Sequence, residues 1–143
     1  MIYLDTNVII YAVENHPKYG KKCTEILKDI NSGKLNACSS VLVLVETMNV
    51  LVKLNRMLKK EGKSVNIKDS VEAVMSLPIE WVDMGFALIR RASEYDYAIS
   101  GVDYIHVATM EMNSVQEVIS ADAELNKVKS IRRIDPLEYE ASG

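Results

Sequence analysis

Met1-Ile2-Tyr3-Leu4-Asp5-Thr6-Asn7, the first seven residues, place a short apolar run before a carboxylate and a polar pair. The apolar run predicts a strand, and the polar pair predicts that a helix begins directly after it. Three more acids lie in apolar surroundings further along the chain, namely Glu46, Asp103 and Asp122. A carboxylate near apolar surface costs free energy unless a positive charge compensates it. The simplest compensating partner for several such acids is a divalent metal ion.

The composition is that of an ordinary globular protein. Of the 143 residues, 48% are hydrophobic and 26% are charged, and we expect residues 1–143 to form one domain. No stretch is apolar enough to cross a bilayer, and the N-terminus lacks the basic region of a signal peptide, so we expect no membrane partner and a cytoplasmic location. The net charge of −3 argues against a general nucleic-acid coat protein. Cys23 and Cys38 lack the spacing of a zinc site and are interpreted as reduced core thiols.

Short β-branched runs alternate with helical patterns, which predicts an α/β fold with a mainly parallel sheet of about five strands. The predicted strands cover residues 2–4, 35–38, 79–82, 117–119 and 131–134. Helices are predicted over residues 6–13, from 17 to 30, over 41–58 and 67–76, after 83, and over 102–112. In the longest helix we expect one apolar stripe, made of Val41, Leu44, Val45, Met48, Leu51, Val52 and Leu58.

The four acids have positions that permit them to converge. In an open parallel sheet, ligands bind outside the carboxyl ends of the strands, where Asp5 and Asp122 both follow predicted strands. Glu46 is offset from the apolar stripe of its helix, so it can face the same edge of the sheet. Asp103 lies in the first turn of its helix and can approach from a neighbouring element.

Each acid also has an explanation in local structure alone. Asp5 and Asp122 can cap the helical turns that follow them, and Asp103 fits a capping box. Glu46 can reach solvent along the polar side of its helix. Taken one at a time, the caps are the favoured interpretation. His106 lies one helical turn after Asp103 on the same side, and the sequence assigns it no role.

The ligand chemistry narrows the choice of cofactor and reaction. Oxygen ligands without histidine or cysteine select hard ions, so the predicted cofactor is Mg²⁺ or Mn²⁺. Two such ions about 4 Å apart commonly serve the hydrolysis of phosphodiesters. A nuclease is therefore the natural reaction class for these four acids.

Four segments, in this order along the chain, resemble the PIN-domain ribonucleases, and most closely the VapC-type toxins of prokaryotic toxin–antitoxin pairs. They read Ile2-Tyr3-Leu4-Asp5-Thr6-Asn7, Val45-Glu46-Thr47, Asp103-Tyr104-Ile105-His106-Val107-Ala108-Thr109 and Ile119-Ser120-Ala121-Asp122. The resemblance implies a three-layer α/β/α sandwich that cleaves RNA with a metal-activated water. It also implies a homodimer and an inhibitory antitoxin protein. The metal-binding and catalytic acids would be Asp5, Glu46, Asp103 and Asp122, and the supporting residues Thr6, Asn7 and Ser120.

Two features depart from the pattern of that family. An aromatic residue is common three positions after the last acid, where this chain has Leu125. Glu124 adds a further carboxylate close to Asp122, and we include it among the supporting residues.

One segment after Glu46 is locally positive. Its basic residues recur at spacings of three and four, so a helix would gather them on one face. Charge runs of this kind usually form a solvated surface. Under the resemblance they are candidate contacts to RNA phosphates. These candidates are Lys53, Arg56, Lys60 and Lys63.

Three other functions stay open at this point. A PIN-domain nuclease of RNA processing, outside any toxin pair, would use the same acids. A non-catalytic module for binding RNA or protein would keep the fold without the metal. A phosphoryl-accepting regulator also places acids around Mg²⁺, but it would have paired acids after the first strand and a lysine after the last. Here Asp5 precedes Thr6, and Ile134 precedes Asp135.

Overall fold

A five-stranded parallel sheet forms the middle layer of the computed structural model, which describes residues 1–141. The strand order is β3-β2-β1-β4-β5, and every neighbouring pair is parallel. The strands are β1 (Ile2–Leu4), β2 (Ala37–Ser40), β3 (Glu80–Val82), β4 (Glu117–Ile119) and β5 (Arg132–Ile134). The predicted α/β class and the parallel sheet are confirmed.

Six helices flank the sheet and connect its strands. They are α1 (Thr6–Val13), α2 (Gly20–Asn31), α3 (Val41–Lys59), α4 (Ile67–Met75), α5 (Phe86–Ser93) and α6 (Gly101–Met112). Short 3₁₀ helices span Ala123–Lys127 and Pro136–Glu138. Within residues 1–141, every helix is too short or too polar to cross a bilayer.

The alternation of side chains along β1 separates two hydrophobic cores. Ile2 and Leu4 pack into a core with residues of α1, α2, α3 and α4. Tyr3 points to the opposite face, into a core with Val107 and Met110 of α6. Helix α5 packs on α6 through a third, smaller cluster. The sheet therefore lies between two helical layers, as the α/β/α prediction requires.

The predicted apolar stripe of α3 is confirmed at Leu51, which is buried, but is wrong at Val45 and Met48. The buried residues of this helix are Val43, Thr47 and Leu51, whereas Val45 and Met48 are 53% and 45% exposed. The start of α3 is apolar on nearly every side, so its hydrophobic pattern does not distinguish the face that packs. The packed face is decided by β2 and the neighbouring helices.

Several predicted boundaries also shift, and the largest shifts are at α2 and β2. Helix α2 begins at Gly20, because residues 17–19 form a turn. Strand β2 begins at Ala37, two residues later than predicted. Shifts of two or three residues are common where element ends are predicted from sequence.

Candidate active site

The four predicted acids line a single pocket of about 280 Å³. They come from four different parts of the chain: the end of β1, the second turn of α3, the first turn of α6 and the loop after β4. Strand β1 lies between β2 and β4, and the backbone N–H of Asp5 donates to the carbonyl of Ile119 at 3.1 Å. The pocket therefore lies at the carboxyl ends of the central strands.

Asp5 is held by hydrogen bonds to both carboxylate oxygens. Its Oδ1 accepts the backbone N–H of Thr6 at 2.8 Å, so it does cap α1. Its Oδ2 accepts the hydroxyl of Ser120 at 2.5 Å and the side-chain amide of Asn7 at 3.2 Å. The capping role and the position in the pocket are thus compatible, because a buried carboxylate can accept several donors.

Ser120 joins the loop after β4 to the start of α1. Its hydroxyl oxygen accepts the amide of Asn7 at 3.2 Å and the backbone N–H of Asp122 at 3.0 Å. The Asn7 side-chain oxygen accepts the backbone N–H of Ala121 at 3.1 Å. Asn7 lines the pocket and Ser120 is buried against Asp5, while their part in any reaction stays a prediction.

Glu46 is anchored by two neighbours. Its Oε1 accepts the hydroxyl of Thr6 at 2.7 Å and lies 3.1 Å from Nε2 of His106. Burial by itself would raise the pKa of Glu46, but the hydrogen bonds from His106 and Thr6 outweigh it and lower the pKa below its usual range. Glu46 is therefore held in its ionised form.

His106 connects Glu46 to the buried phenol of Tyr3, whose oxygen lies 2.6 Å from Nδ1. Burial lowers the pKa of His106, but the hydrogen bond to Glu46 and the charge of Asp5 more than offset this and raise the pKa. The protonated ring can donate from both nitrogens, to Glu46 and to Tyr3. Burial and then the charge of Asp5 raise the pKa of Tyr3, which keeps the phenol neutral.

Asp103 and Asp122 complete the acidic lining. The backbone N–H of Asp103 donates to the Ser100 hydroxyl at 3.1 Å, which is one half of the predicted capping box. Burial raises the pKa of Asp103, and the charges of Asp122 and Asp5 raise it further. Asp122 Oδ1 accepts the backbone N–H of Glu124 at 3.0 Å and caps a 3₁₀ helix. The pocket therefore gathers like charges that repel one another.

Comparison with known proteins fits this architecture. The family model for the PIN domain matches residues 2–131. The chain belongs to the PIN domain family. None of the curated proteins matches its sequence significantly.

Solved structures share this PIN-domain fold at low sequence identity. The sarcin-ricin-loop-cleaving toxin VapC20 of Mycobacterium tuberculosis has a TM-score of 0.69 and 17% identity, and the match covers 90% of this chain and 95% of that one. The VapBC2 structure from Rickettsia felis, bound to promoter DNA, has a TM-score of 0.64 and 19% identity over 94% and 98%. A toxin–antitoxin complex from Klebsiella pneumoniae has a TM-score of 0.64 and 13% identity over 97% and 100%.

The side chains that line the pocket of this PIN domain are of a chemical type that suits a hard divalent cation. Four carboxylates, one histidine and no thiol line it. Both ring nitrogens of His106 are engaged by Glu46 and Tyr3, so the ligands left are oxygens, which suit Mg²⁺ or Mn²⁺. The mutual repulsion that raises the pKa of Asp103 is what a cation would relieve. Within residues 1–141, however, no three His, Cys, Asp or Glu side chains are gathered closely enough to hold an ion. The chemistry of the ligands fits, while the coordination geometry is not formed.

Glu124 is not among the residues that line the pocket. Its side chain forms an ion pair with Lys127, one turn further along the 3₁₀ helix. Its backbone N–H supports Asp122 instead. Glu124 therefore contacts Asp122 through its backbone and Lys127 through its side chain, and its supporting role stays a prediction.

The four basic candidates do not all share one helix face. Lys53 and Arg56 are exposed on α3, but the helix ends at Lys59, and Lys60 is its C-terminal cap residue. Lys63 lies beyond the turn at Gly62, which has a φ of +73°, and its backbone N–H donates to the Leu58 carbonyl. The prediction of one face is wrong for Lys63, because the glycine turn ends the helix before it.

His106 and Tyr3 belong to the hydrogen-bond network of the site, although their sequence positions gave neither a role. The spacing of His106 from Asp103 places both on the same side of α6, which was the available signal. Tyr3 gave none, because an aromatic residue in a predicted strand is expected in a core. Only the packing of α6 against β1 brings the phenol to the imidazole.

Proposed function

We propose that this PIN domain is a Mg²⁺- or Mn²⁺-dependent endoribonuclease and the toxin of a type II toxin–antitoxin pair. The observation that carries the proposal is that Asp5, Glu46, Asp103 and Asp122, from four separate elements, line one pocket at the carboxyl ends of the central strands. The PIN-domain match across residues 2–131 supports a nuclease. An ordinary surface would not gather four acids without a cation to compensate them.

Under this proposal, one group of residues binds the cation and a second group orients the first by hydrogen bonds. The four carboxylates would hold the cations, which activate water and neutralise the leaving oxygen in phosphodiester hydrolysis. Ser120 and Asn7 orient Asp5. Thr6 and His106 orient Glu46 and keep it ionised. The reaction needs no side-chain nucleophile, so the catalytic task of this chain is to position charge.

Cleavage of a labelled pool of single-stranded RNA tests the nuclease. We expect cleavage with Mn²⁺, none with EDTA, and none by Asp103→Asn, because the amide cannot supply a charged ligand. Asp69→Asn is the matched control, since Asp69 is exposed in the first turn of α4 and does not line the pocket. Full activity of Asp103→Asn would overturn the assignment of the acids. Absent cleavage together with absent Mn²⁺ binding by calorimetry would instead favour a non-catalytic binding module.

The toxin assignment rests on similarity to complexes described as toxin–antitoxin pairs. If the protein is such a toxin, we propose that it binds an antitoxin, forms a homodimer, cleaves RNA and is located in the cytoplasm. Induced expression should arrest growth, co-expression of a small neighbouring gene should relieve the arrest, and Asp103→Asn should be harmless. Cleavage in vitro without any arrest of growth would favour an RNA-processing nuclease. Light scattering after gel filtration would test the homodimer.

RNA contacts are proposed for the exposed basic residues that follow Glu46. With a rise of 1.5 Å per residue, Lys53 and Arg56 lie roughly 10 and 15 Å from Glu46 along the axis of α3. They are therefore proposed to contact the RNA backbone away from the scissile phosphate. Lys60 and Lys63 lie further along the same segment. Neutralising each contact should reduce the salt dependence of RNA binding.

A further inference from the structure

Aromatic rings form a cluster at the rim of the acidic pocket. Tyr11 lies one turn after Asn7 in α1 and lines the pocket beside the acids. Its ring stacks on Tyr19, with ring centroids 5.3 Å apart and an interplanar angle of 17°. His16 lies against the same ring at 4.4 Å, and Lys18 Nζ lies 5.2 Å from the centroid of Tyr19. The rim therefore joins π-faces to an exposed cation.

The loop that carries the cluster is held in a single shape. Nδ1 of His16 accepts the backbone N–H groups of Lys18 and Tyr19 at 3.1 and 3.2 Å. Asn15 has a φ of 52°. A Cβ on Gly20 would lie 2.8 Å from the backbone carbon of Asn15, so α2 begins in close contact with the end of α1. These constraints pre-organise the stack, which lowers the entropy cost of binding.

A second aromatic cluster shows what packing alone produces. Tyr95, Tyr97 and Tyr104 meet edge-on or tilted, and the hydroxyls of Tyr95 and Tyr104 donate to Glu111 and to the Tyr97 carbonyl. None of the three lines the acidic pocket. Tyr11 and Tyr19 also pack against a hydrophobic core, but the Tyr11 ring borders the acidic pocket.

The acidic pocket creates a need that this cluster can meet. Carboxylates repel the phosphates of a nucleic acid, so a nucleotide held next to them requires attraction from other groups. Stacking of a base on an aromatic ring supplies it without regard to sequence, and a nearby lysine supplies charge. Tyr11 of α1 supplies the ring at the rim, and Lys18 lies on the α1–α2 loop against Tyr19.

We infer that Tyr11, backed by Tyr19, is the stacking surface for one nucleobase of a single-stranded RNA, with Lys18 placed to contact a flanking phosphate. The inference deepens the proposed function and rests on it for the class of substrate. It adds a substrate-binding residue outside the four acids. Every base can stack on an aromatic ring. Removing the base at this position should therefore weaken binding more than replacing it by another base.

Binding of a fluorescent oligoribonucleotide by Asp103→Asn protein, measured by anisotropy, tests the stack without dependence on cleavage. A second set of oligonucleotides has the same number of phosphates but one abasic residue. The position of the abasic residue along the strand differs from one member of the set to the next. Adding Tyr11→Leu to the Asp103→Asn protein should weaken binding of the full RNA by ~10-fold. When the abasic residue stands where the base would stack on Tyr11, the RNA should bind equally well to the proteins with and without Tyr11→Leu. Tyr11→Phe should bind the full RNA like the parent, because it keeps the ring.

Phe86→Leu is the control, since Phe86 is 82% exposed on α5, away from the pocket. Equal loss for full and abasic RNA at every position, or no loss, would overturn the stacking role. That result is distinct from failure of the nuclease, which cleavage by the wild type decides. Absence of any RNA binding would overturn the stacking role, while cleavage by the wild type would still decide the nuclease.

A measurement without substitution guards against loss of folding in Tyr11→Leu. RNA carrying 5-iodouridine, irradiated with the wild-type protein, should cross-link to Tyr11 or Tyr19 as identified by mass spectrometry. Cross-links found only at other residues would contradict the inference.

Discussion

The hydroxyl of Ser120 links three parts of the pocket, because it contacts Asp5, Asn7 and the backbone of Asp122. The residue is fully buried, so no water can replace the lost donor easily. We predict that Ser120→Ala lowers the free energy of unfolding by about 1–3 kcal/mol, as for a buried hydrogen bond to a charged group. It should also reduce cleavage, since Asp5 loses an orienting donor.

Urea denaturation and RNA cleavage of the same preparation check this prediction. Ser130→Ala is the matched control, because Ser130 is exposed in the turn before β5 and makes no contact with the pocket. Equal stability of the two variants would show that the Ser120 hydroxyl adds nothing to Asp5.

His106 shows why single residues of a site escape sequence analysis. The acids attract notice because a carboxylate in an apolar segment is costly. A histidine in the apolar helix α6 gives no comparable signal, and its role depends on Tyr3, 103 positions away along the chain. Long-range pairs of this kind follow only from the packing of α6 on the sheet.

The junction of α1 and α2 depends on a close backbone contact at Gly20. A Cβ there would lie 2.8 Å from Asn15 and 3.1 Å from the Tyr11 carbonyl oxygen. Overpacking of this kind costs about 1–3 kcal/mol, which exceeds the gain of up to ~1 kcal/mol from the helix propensity of alanine. We predict that Gly20→Ala destabilises the protein in thermal or urea unfolding.

Gly101→Ala provides the comparison for Gly20→Ala. Gly101 begins α6, and nothing lies within 4 Å of its added Cβ. This variant should be neutral or more stable by up to about 1 kcal/mol, since alanine restricts the unfolded chain. If both variants behave alike, the contact between α1 and α2 is not tight.

The sequence predicts an element well when its hydrophobic pattern is compatible with only one arrangement of buried and exposed residues. Strand β1 is short and ends at a polar pair, and α1 begins at Thr6 as predicted. The length of helix α3 agrees with the prediction, but its Val45 and Met48 side chains are exposed and not buried. Its pattern allows more than one buried face, and only contact with other elements selects one. Asp5 and Asp122 could be placed at one edge because the carboxyl ends of parallel strands meet there. For Glu46 and Asp103, which lie on helices, the sequence only permits an approach to that edge.

The whole molecule has one free cysteine on each side of its sheet. Cys23 belongs to the core that contains α1 and α2, and Cys38 to the core that contains α6. Burial raises the pKa of each thiol to about 11. At pH 8, a thiol with such a pKa is ionised on the order of once in 10³ molecules, and the thiolate is the reactive form. Both thiols should therefore be inert in the folded protein.

The two thiols can test whether both layers unfold as one domain, as we propose. With Cys23→Ala and Cys38→Ala, each remaining thiol is labelled separately by dithionitrobenzoate at pH 8, with labelling in guanidinium chloride as the control for full reactivity. If the sheet and both layers form one cooperative unit, the two labelling rates should be equal once corrected for the stability of each variant, and both should rise together with urea. Faster labelling of Cys38 in the absence of urea would mean that α6 opens independently of the other layer. In that case the acids would not form a permanent site, because Asp103 and His106 would leave the pocket with α6.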